Sequence, residues 1–244
     1  MKTLFFVLAL LLVKGIAQAQ PQRETVLIES FKQGNAGNCA SISVIKLAID
    51  KYGENGVLQK LDSTATDYLI TLRDGTQLIL TKEEWHSFTR NMLDQFVLLK
   101  NPAIFKEAKF LYAIMAKNKF LIDNNAHPGT HISLADAAVL KDKRGRVVKS
   151  RQGNTTPLLA QDTGINFQYL GLGKKCETLD LSLADTTPSI ILTNIKHSAY
   201  GGMSYYDQEG KVCAISSFTT IHGDFLPRVF GLRNLNQTIY HLKD

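Results

Sequence analysis

The stretch Gln33-Gly34-Asn35-Ala36-Gly37-Asn38-Cys39-Ala40-Ser41-Ile42-Ser43-Val44-Ile45-Lys46-Leu47-Ala48-Ile49-Asp50-Lys51-Tyr52 changes character at Cys39. Before it lies a turn-rich loop, in which two glycines and two asparagines permit positive φ and close backbone approach. After it, Ile42, Ile45, Leu47 and Ile49, with small residues between them, predict a largely buried helix. Gly53 is the expected stop. A cysteine in the first turn of such a helix is in a particular chemical situation. The unpaired N–H groups and the helix dipole there stabilise a thiolate. A thiol so placed titrates at about 3.5–7.5 in favourable cases, against about 8.5 when free. The backbone N–H of Cys39 and the side-chain amide of Gln33 are candidate donors to an oxyanion.

A nucleophile needs a base and a group that orients the base. His197 has the best context of the six histidines. It stands at the start of a β-patterned region, before Ser198 and Ala199, with Gly201-Gly202 following. Asn234, Asn194, Asp207 and Asp224 are candidates for the orienting group.

Outward from the helix, Tyr68 to Leu80 reads as a β-hairpin turning at Asp74-Gly75. Thr81-Lys82-Glu83-Glu84 has the form of a capping box. The helix it opens is expected to run to about Lys100. Pro102 is expected in the first turn of a further helix reaching about Lys119. Trp85 is expected in the core. Residues 123 to 131 and 141 to 157 read as loops, and the basic run Lys141 to Arg151 as a solvated one. The last third is patterned as strands at Ser189 to Thr193, Ala199 to Tyr206, Lys211 to Phe218 and Arg228 to Leu232, with a turn at Asp207-Gln208-Glu209-Gly210. The expected class is α+β, with a mainly helical stretch at 20–160 and an antiparallel β-rich stretch at 161–244.

These residues together resemble a family. Gln33 to Cys39 resembles the Gln-Gly-x-x-Gly-Asp-Cys motif of calpain-type cysteine peptidases, within the papain-like superfamily. Lys196-His197-Ser198-Ala199-Tyr200 resembles their Gly-His-Ala-Tyr segment. Gly231-Leu232-Arg233-Asn234 resembles their Leu-Arg-Asn-Pro-Trp-Gly segment, and the three occur in the family's order. Leu111 to Lys117 resembles the helix between the cysteine and histidine segments. The resemblance implies a two-lobed architecture with Cys39 as nucleophile, His197 as base, Asn234 as orienting residue and Gln33 as oxyanion donor. Ala40 stands where the family has Trp, Asn38 where it has Asp, and Leu235-Asn236 where it has Pro-Trp.

The ends and the composition set the compartment. Lys2, the apolar run Leu4 to Val13 and Ala17-Gln18-Ala19 read as a secretory signal peptide over residues 1–19. The ten-residue run is short for a membrane span, which takes about 20 residues. The expected product is a secreted or periplasmic single domain, residues 20–244, with no stable membrane insertion. The 244 residues hold 28 Lys+Arg against 22 Asp+Glu, a formal charge of +6 that falls to +4 once Lys2 and Lys14 are removed. That mild excess, without a nucleic-acid-binding signature, does not argue for nucleic acid.

Cys39, Cys176 and Cys213 are an odd number, so at least one is free or pairs between molecules. A Cys176–Cys213 bridge is one possibility. No zinc-spaced cluster and no EF-hand loop occur, so no metal or cofactor is expected. His127 and His131 are separated by Pro128-Gly129 and do not suit a helical metal pair. The expected function is a thiol hydrolase acting on a peptide or isopeptide amide, with a protein or peptide as substrate. The alternative is a catalytically inactive papain-like domain that binds a protein or cell-surface ligand.

Overall fold

The structure is a computed structural model and describes residues 26–27, 30–33, 38–91, 96–132, 159, 163–179, 190–192, 198–200, 205–208, 211–214 and 238–243. It mixes α-helices with small antiparallel sheets. The first strand is β1, Phe31–Gln33, and the first full helix is α1, Cys39–Tyr52. Residues 40–50 are buried on every side. A helix buried all round, with Ser41, Ser43, Lys46 and Asp50 among the enclosed residues, lies inside the fold rather than on its surface. It stops where the sequence says: Gly53 adopts φ 87° and its N–H donates to the Ile49 carbonyl at 2.8 Å.

The hairpin also forms as read. β3, Asp67–Thr71, pairs with β4, Gln77–Thr81, and the Asp74 carboxylate accepts from the Thr76 N–H at 2.9 Å in the turn. Ile70, Leu72, Leu78 and Leu80 bury one face, following the two-residue period of a strand. A third strand, β2, Lys60–Ser63, joins the edge beside β3. It is exposed at every position and carries no alternation by which sequence alone would find it.

Helix α2 spans Lys82–Asn91. The expected capping box is made: Thr81 Oγ1 accepts from the Glu84 N–H at 3.0 Å, and Glu84 Oε2 accepts from the Thr81 N–H at 2.8 Å. The helix ends at Asn91 rather than near Lys100. Residues Phe96–Leu98 instead form strand β5, antiparallel to β1, with Gln33 opposite Phe96. The reason is tertiary. Phe96 is buried against the rings of Phe31, Phe105 and Tyr112, and the Leu99 N–H reaches the Ser30 carbonyl.

Helix α3, Pro102–Asn124, begins with Pro102 in its first turn, and the Asn101 side chain accepts from the N–H groups of Ala103 and Ile104. It runs past the expected end at Lys119, because Leu121 is still buried. Trp85 is buried, as expected, edge-on to Phe110.

The expected β-rich stretch opens instead with helix α4, Thr163–Tyr169, and a 3-10 turn, Gly173–Lys175. Its strands are β6 (Cys176–Leu179), β7 (Ile190–Leu192), β8 (Ser198–Tyr200), β9 (Tyr205–Gln208), β10 (Lys211–Ala214) and β11 (Thr238–Leu242). The order of one sheet is β6-β11-β7-β8, antiparallel throughout. β9 and β10 pair antiparallel with Gln208 opposite Lys211, so Asp207 and Gln208 of the expected turn belong to β9, and Glu209 and Gly210 lie outside the described residues. The expected strand Arg228 to Leu232, the basic run Lys141 to Arg151 and the segment 1–19 lie outside the described residues. The expected mainly helical stretch likewise contains β1 to β5. Its apolar runs are too short to reveal whether each is strand or helix without their partners.

One continuous core joins these parts, from Leu27 and Phe31 through α1 and α3 to Phe167, Leu172 and Leu242. α1 packs on α3 and α4 and also on β7, β8 and β11. Buried polar pairs fix the arrangement. Ser41 Oγ donates to Asn166 Oδ1 at 2.9 Å, and the Asn118 side-chain amide donates to the Tyr169 carbonyl at 2.9 Å. Lys117 and Glu84, both fully enclosed, meet at 2.6 Å. Glu84 Oε1 also accepts from the Ile132 N–H at 2.7 Å. Burial pulls the Lys117 ammonium below its ordinary range, and Glu84 pushes it back up.

Candidate active site

The candidate site is built where β1 ends and α1 begins. Gln33 is the last residue of β1, paired with Phe96 of β5, so the expected loop is entered from a strand. Cys39 is the first residue of α1. Asn38 precedes it as the N-cap, buried, and its carbonyl accepts from the Ile42 N–H at 3.1 Å. No acidic residue occupies the first turn of α1, and Lys51 lies in its last turn. With no acid in its first turn, the helix sets no charge of its own against the positive end of its dipole, while Lys51 complements the negative end.

The helix that carries Cys39 packs against β1 and, more extensively, against β8. β8 is the edge strand of the four-stranded sheet and begins one residue after His197 in the chain. β9 lies against both β8 and β1 and contains Asp207, opposite Val212 of β10. The helix that begins at Cys39 therefore packs both on the strand that ends at Gln33 and on the strand that follows His197. His197 itself lies outside the described residues, as do Asn234, Asn194 and Asp224.

Two supports of this corner are absent from the sequence reading. Ser41, two residues after Cys39, anchors the first turn of α1 to Asn166 of α4. Lys46, buried, holds its Nζ 5.0 Å above the centre of the Phe31 ring in β1. Lys46 follows Cys39 by seven residues, close to two helical turns. That spacing was the available signal. A lysine in the middle of a buried helix is a charge that must be compensated.

Cys176 behaves differently from a helix-terminal cysteine. It carries a free thiol at the start of β6, which excludes its bridge to Cys213. It is half-buried, and burial with the neighbouring Glu177 pushes its thiol up to about 11. Such a thiol is protonated and inert at neutral pH. Across the strand pair, Glu177 meets His241 at 2.7 Å.

Among the described residues, no group of three or more His, Cys, Asp and Glu is arranged to hold a metal. The Thr130 N–H donates to the His127 carbonyl, so the segment bearing His127 and His131 is a turn rather than a helix. No helix among the described residues is long and apolar enough to cross a membrane. No family model, curated protein or solved structure matches this chain.

Proposed function

We propose that this chain is an exported cysteine hydrolase of papain-like, two-lobed architecture that cleaves a peptide or isopeptide amide. One observation carries the reading: a Gln-Gly-x-x-Gly-Asn-Cys sequence leads into the N-terminus of a buried helix that begins at Cys39. The packing of that helix on β8, whose first residue follows His197, supports it.

In this mechanism the Cys39 thiolate attacks the carbonyl carbon. The carbon–sulfur bond forms while the Cys39 N–H and the Gln33 amide hold the oxyanion. Collapse breaks the carbon–nitrogen bond, and His197 gives its proton to the leaving amine. Water, deprotonated by His197, then hydrolyses the thioester and releases the acid. Asn234 orients the imidazole, with Asp207, Asn194 and Asp224 as the alternatives. Residues 1–19 act as the export signal, placing the enzyme in the periplasm or outside the cell. No metal takes part in these steps.

A second reading has one specific feature in its favour. Ala40 and Asn38 replace the Trp and Asp that flank the family's cysteine. They suit a papain-like domain that has lost catalysis and binds a protein or cell-surface ligand.

Iodoacetamide labelling, read at each cysteine by peptide mass spectrometry across pH, separates the two. The expected labelling pKa of Cys39 lies well below 8 and rises in His197→Ala. Cys176 is the internal control. Its labelling should stay slow through pH 9 and climb only as pH approaches 11. An unshifted Cys39 in both proteins would overturn the hydrolase reading.

A further inference from the structure

On the side of α3 bearing Glu107 and Phe110, a cavity of about 370 Å³ opens among β2, β3, α2 and α3. The size lies within the roughly 300–1,000 Å³ typical of small-ligand sites. Its wall is aromatic. Phe110 stands at the centre, with Tyr68 at 5.0 Å and 74° and Trp85 at 5.2 Å and 89°. The rings meet edge to face rather than in a flat stack. Their π-faces are electron-rich, which favours a cation over a neutral group of the same shape.

The polar part of the lining fits the same ligand. Glu107 and Glu54 both line the cavity, against one lysine, Lys106. Lys106 and Glu54 are both exposed, so their charges are solvated, whereas Glu107 is half-buried. Glu107 Oε1 accepts from the Asn55 N–H at 2.8 Å, which pins the carboxylate to the turn after α1. Asn55 adopts φ 60°, a left-handed conformation. Burial, and then the nearby Glu54, raise the Glu107 pKa, while the Asn55 N–H opposes them. A bound cation would relieve that cost. One ring of the same wall, Tyr68, already has an ammonium near it, with Lys82 Nζ 5.7 Å from its centre, so the faces of Phe110 and Trp85 are the ones considered for a ligand.

We propose that this cavity binds a small alkylammonium ion, seated against Phe110 and Trp85 with Glu107 as its counter-charge. Cys39 is not among the residues that line it.

Trp85 is the sole tryptophan of the chain, so its fluorescence reports on the cavity directly. The full chain is titrated at constant ionic strength with choline and with 3,3-dimethyl-1-butanol, which has choline's shape without its charge. Choline should give a saturable change in Trp85 emission, with the alcohol at least about tenfold weaker. Glu107→Gln keeps an oxygen for the Asn55 N–H but removes the charge, and should erase most of that difference. Equal affinity for the two probes, or no saturable response to choline, would overturn the proposal. So would a Glu107→Gln protein that keeps the full preference for choline. Should that variant fail to fold, the two-probe comparison on the unaltered chain decides alone.

Discussion

From Lys60 to Ile132 most elements meet a neighbour close in the chain, whereas the sheet β6-β11-β7-β8 seats residues 238–242 between strands at 176–179 and 190–192. The first region is assembled from turn and capping chemistry within a few residues: Asp74 in the hairpin, Thr81 with Glu84, Asn101 with Pro102. The second depends on chain that arrives last. The difference teaches where each region should be fragile. Local devices contribute small, separable amounts. Long-range contacts carry large ones, because their loss leaves buried groups without partners.

The largest expected effect comes from Lys117→Met. It strands the enclosed Glu84 carboxylate, and loss of one partner from a buried ion pair costs about 3–5 kcal/mol. Urea unfolding checks this through a lower midpoint. A cost below about 1 kcal/mol would mean that water reaches Glu84 once the lysine is gone.

Leu242→Ala comes next. Leu242 is 2% exposed in the last strand and belongs to the common core, so the expected loss is about 2–4 kcal/mol. This variant also probes whether the two regions unfold together. Trp85 fluorescence follows the first region and far-UV circular dichroism follows the whole chain. Coincident transitions are expected, since α1 packs on both regions. Separated transitions would show two independently unfolding parts.

Thr81→Ala is the smallest change. It removes one acceptor from the capping box and should cost about 1 kcal/mol. The two Glu84 contacts thereby set a scale: the local cap against the distant ammonium.

Much of the first region was legible. The start and stop of α1, the hairpin at Asp74-Gly75, the capping box and Pro102 at a helix start all rest on signals a few residues long. β2 was not legible, because an exposed edge strand has no apolar alternation. Neither was β5, where Phe96 and its neighbours continue a helical-looking stretch and only Phe31, Phe105 and Tyr112 draw them into a strand. β6 and β11 passed unnoticed for the same reason: a short strand is recognised by its partners. Of the candidate site, the Cys39 helix start could be read from composition alone. Asn166 behind Ser41 could not, since 125 residues separate them. The cavity around Phe110 was equally hidden, for its walls come from four elements.

By itself the sequence determined the local grammar: where α1 begins and ends, which face the hairpin buries, and that a cysteine follows a Gly/Asn-rich loop into a helix. Backbone sterics, capping hydrogen bonds and apolar periodicity act over one or two turns, so they are written in adjacent residues. The tertiary structure alone decided that α2 stops at Asn91, that Cys176 is a free thiol beside Glu177, that Lys117 is enclosed against Glu84, and that β8 packs on the Cys39 helix. Each of these depends on burial and on partners distant in the chain, and burial is a property of the assembled molecule rather than of any single segment.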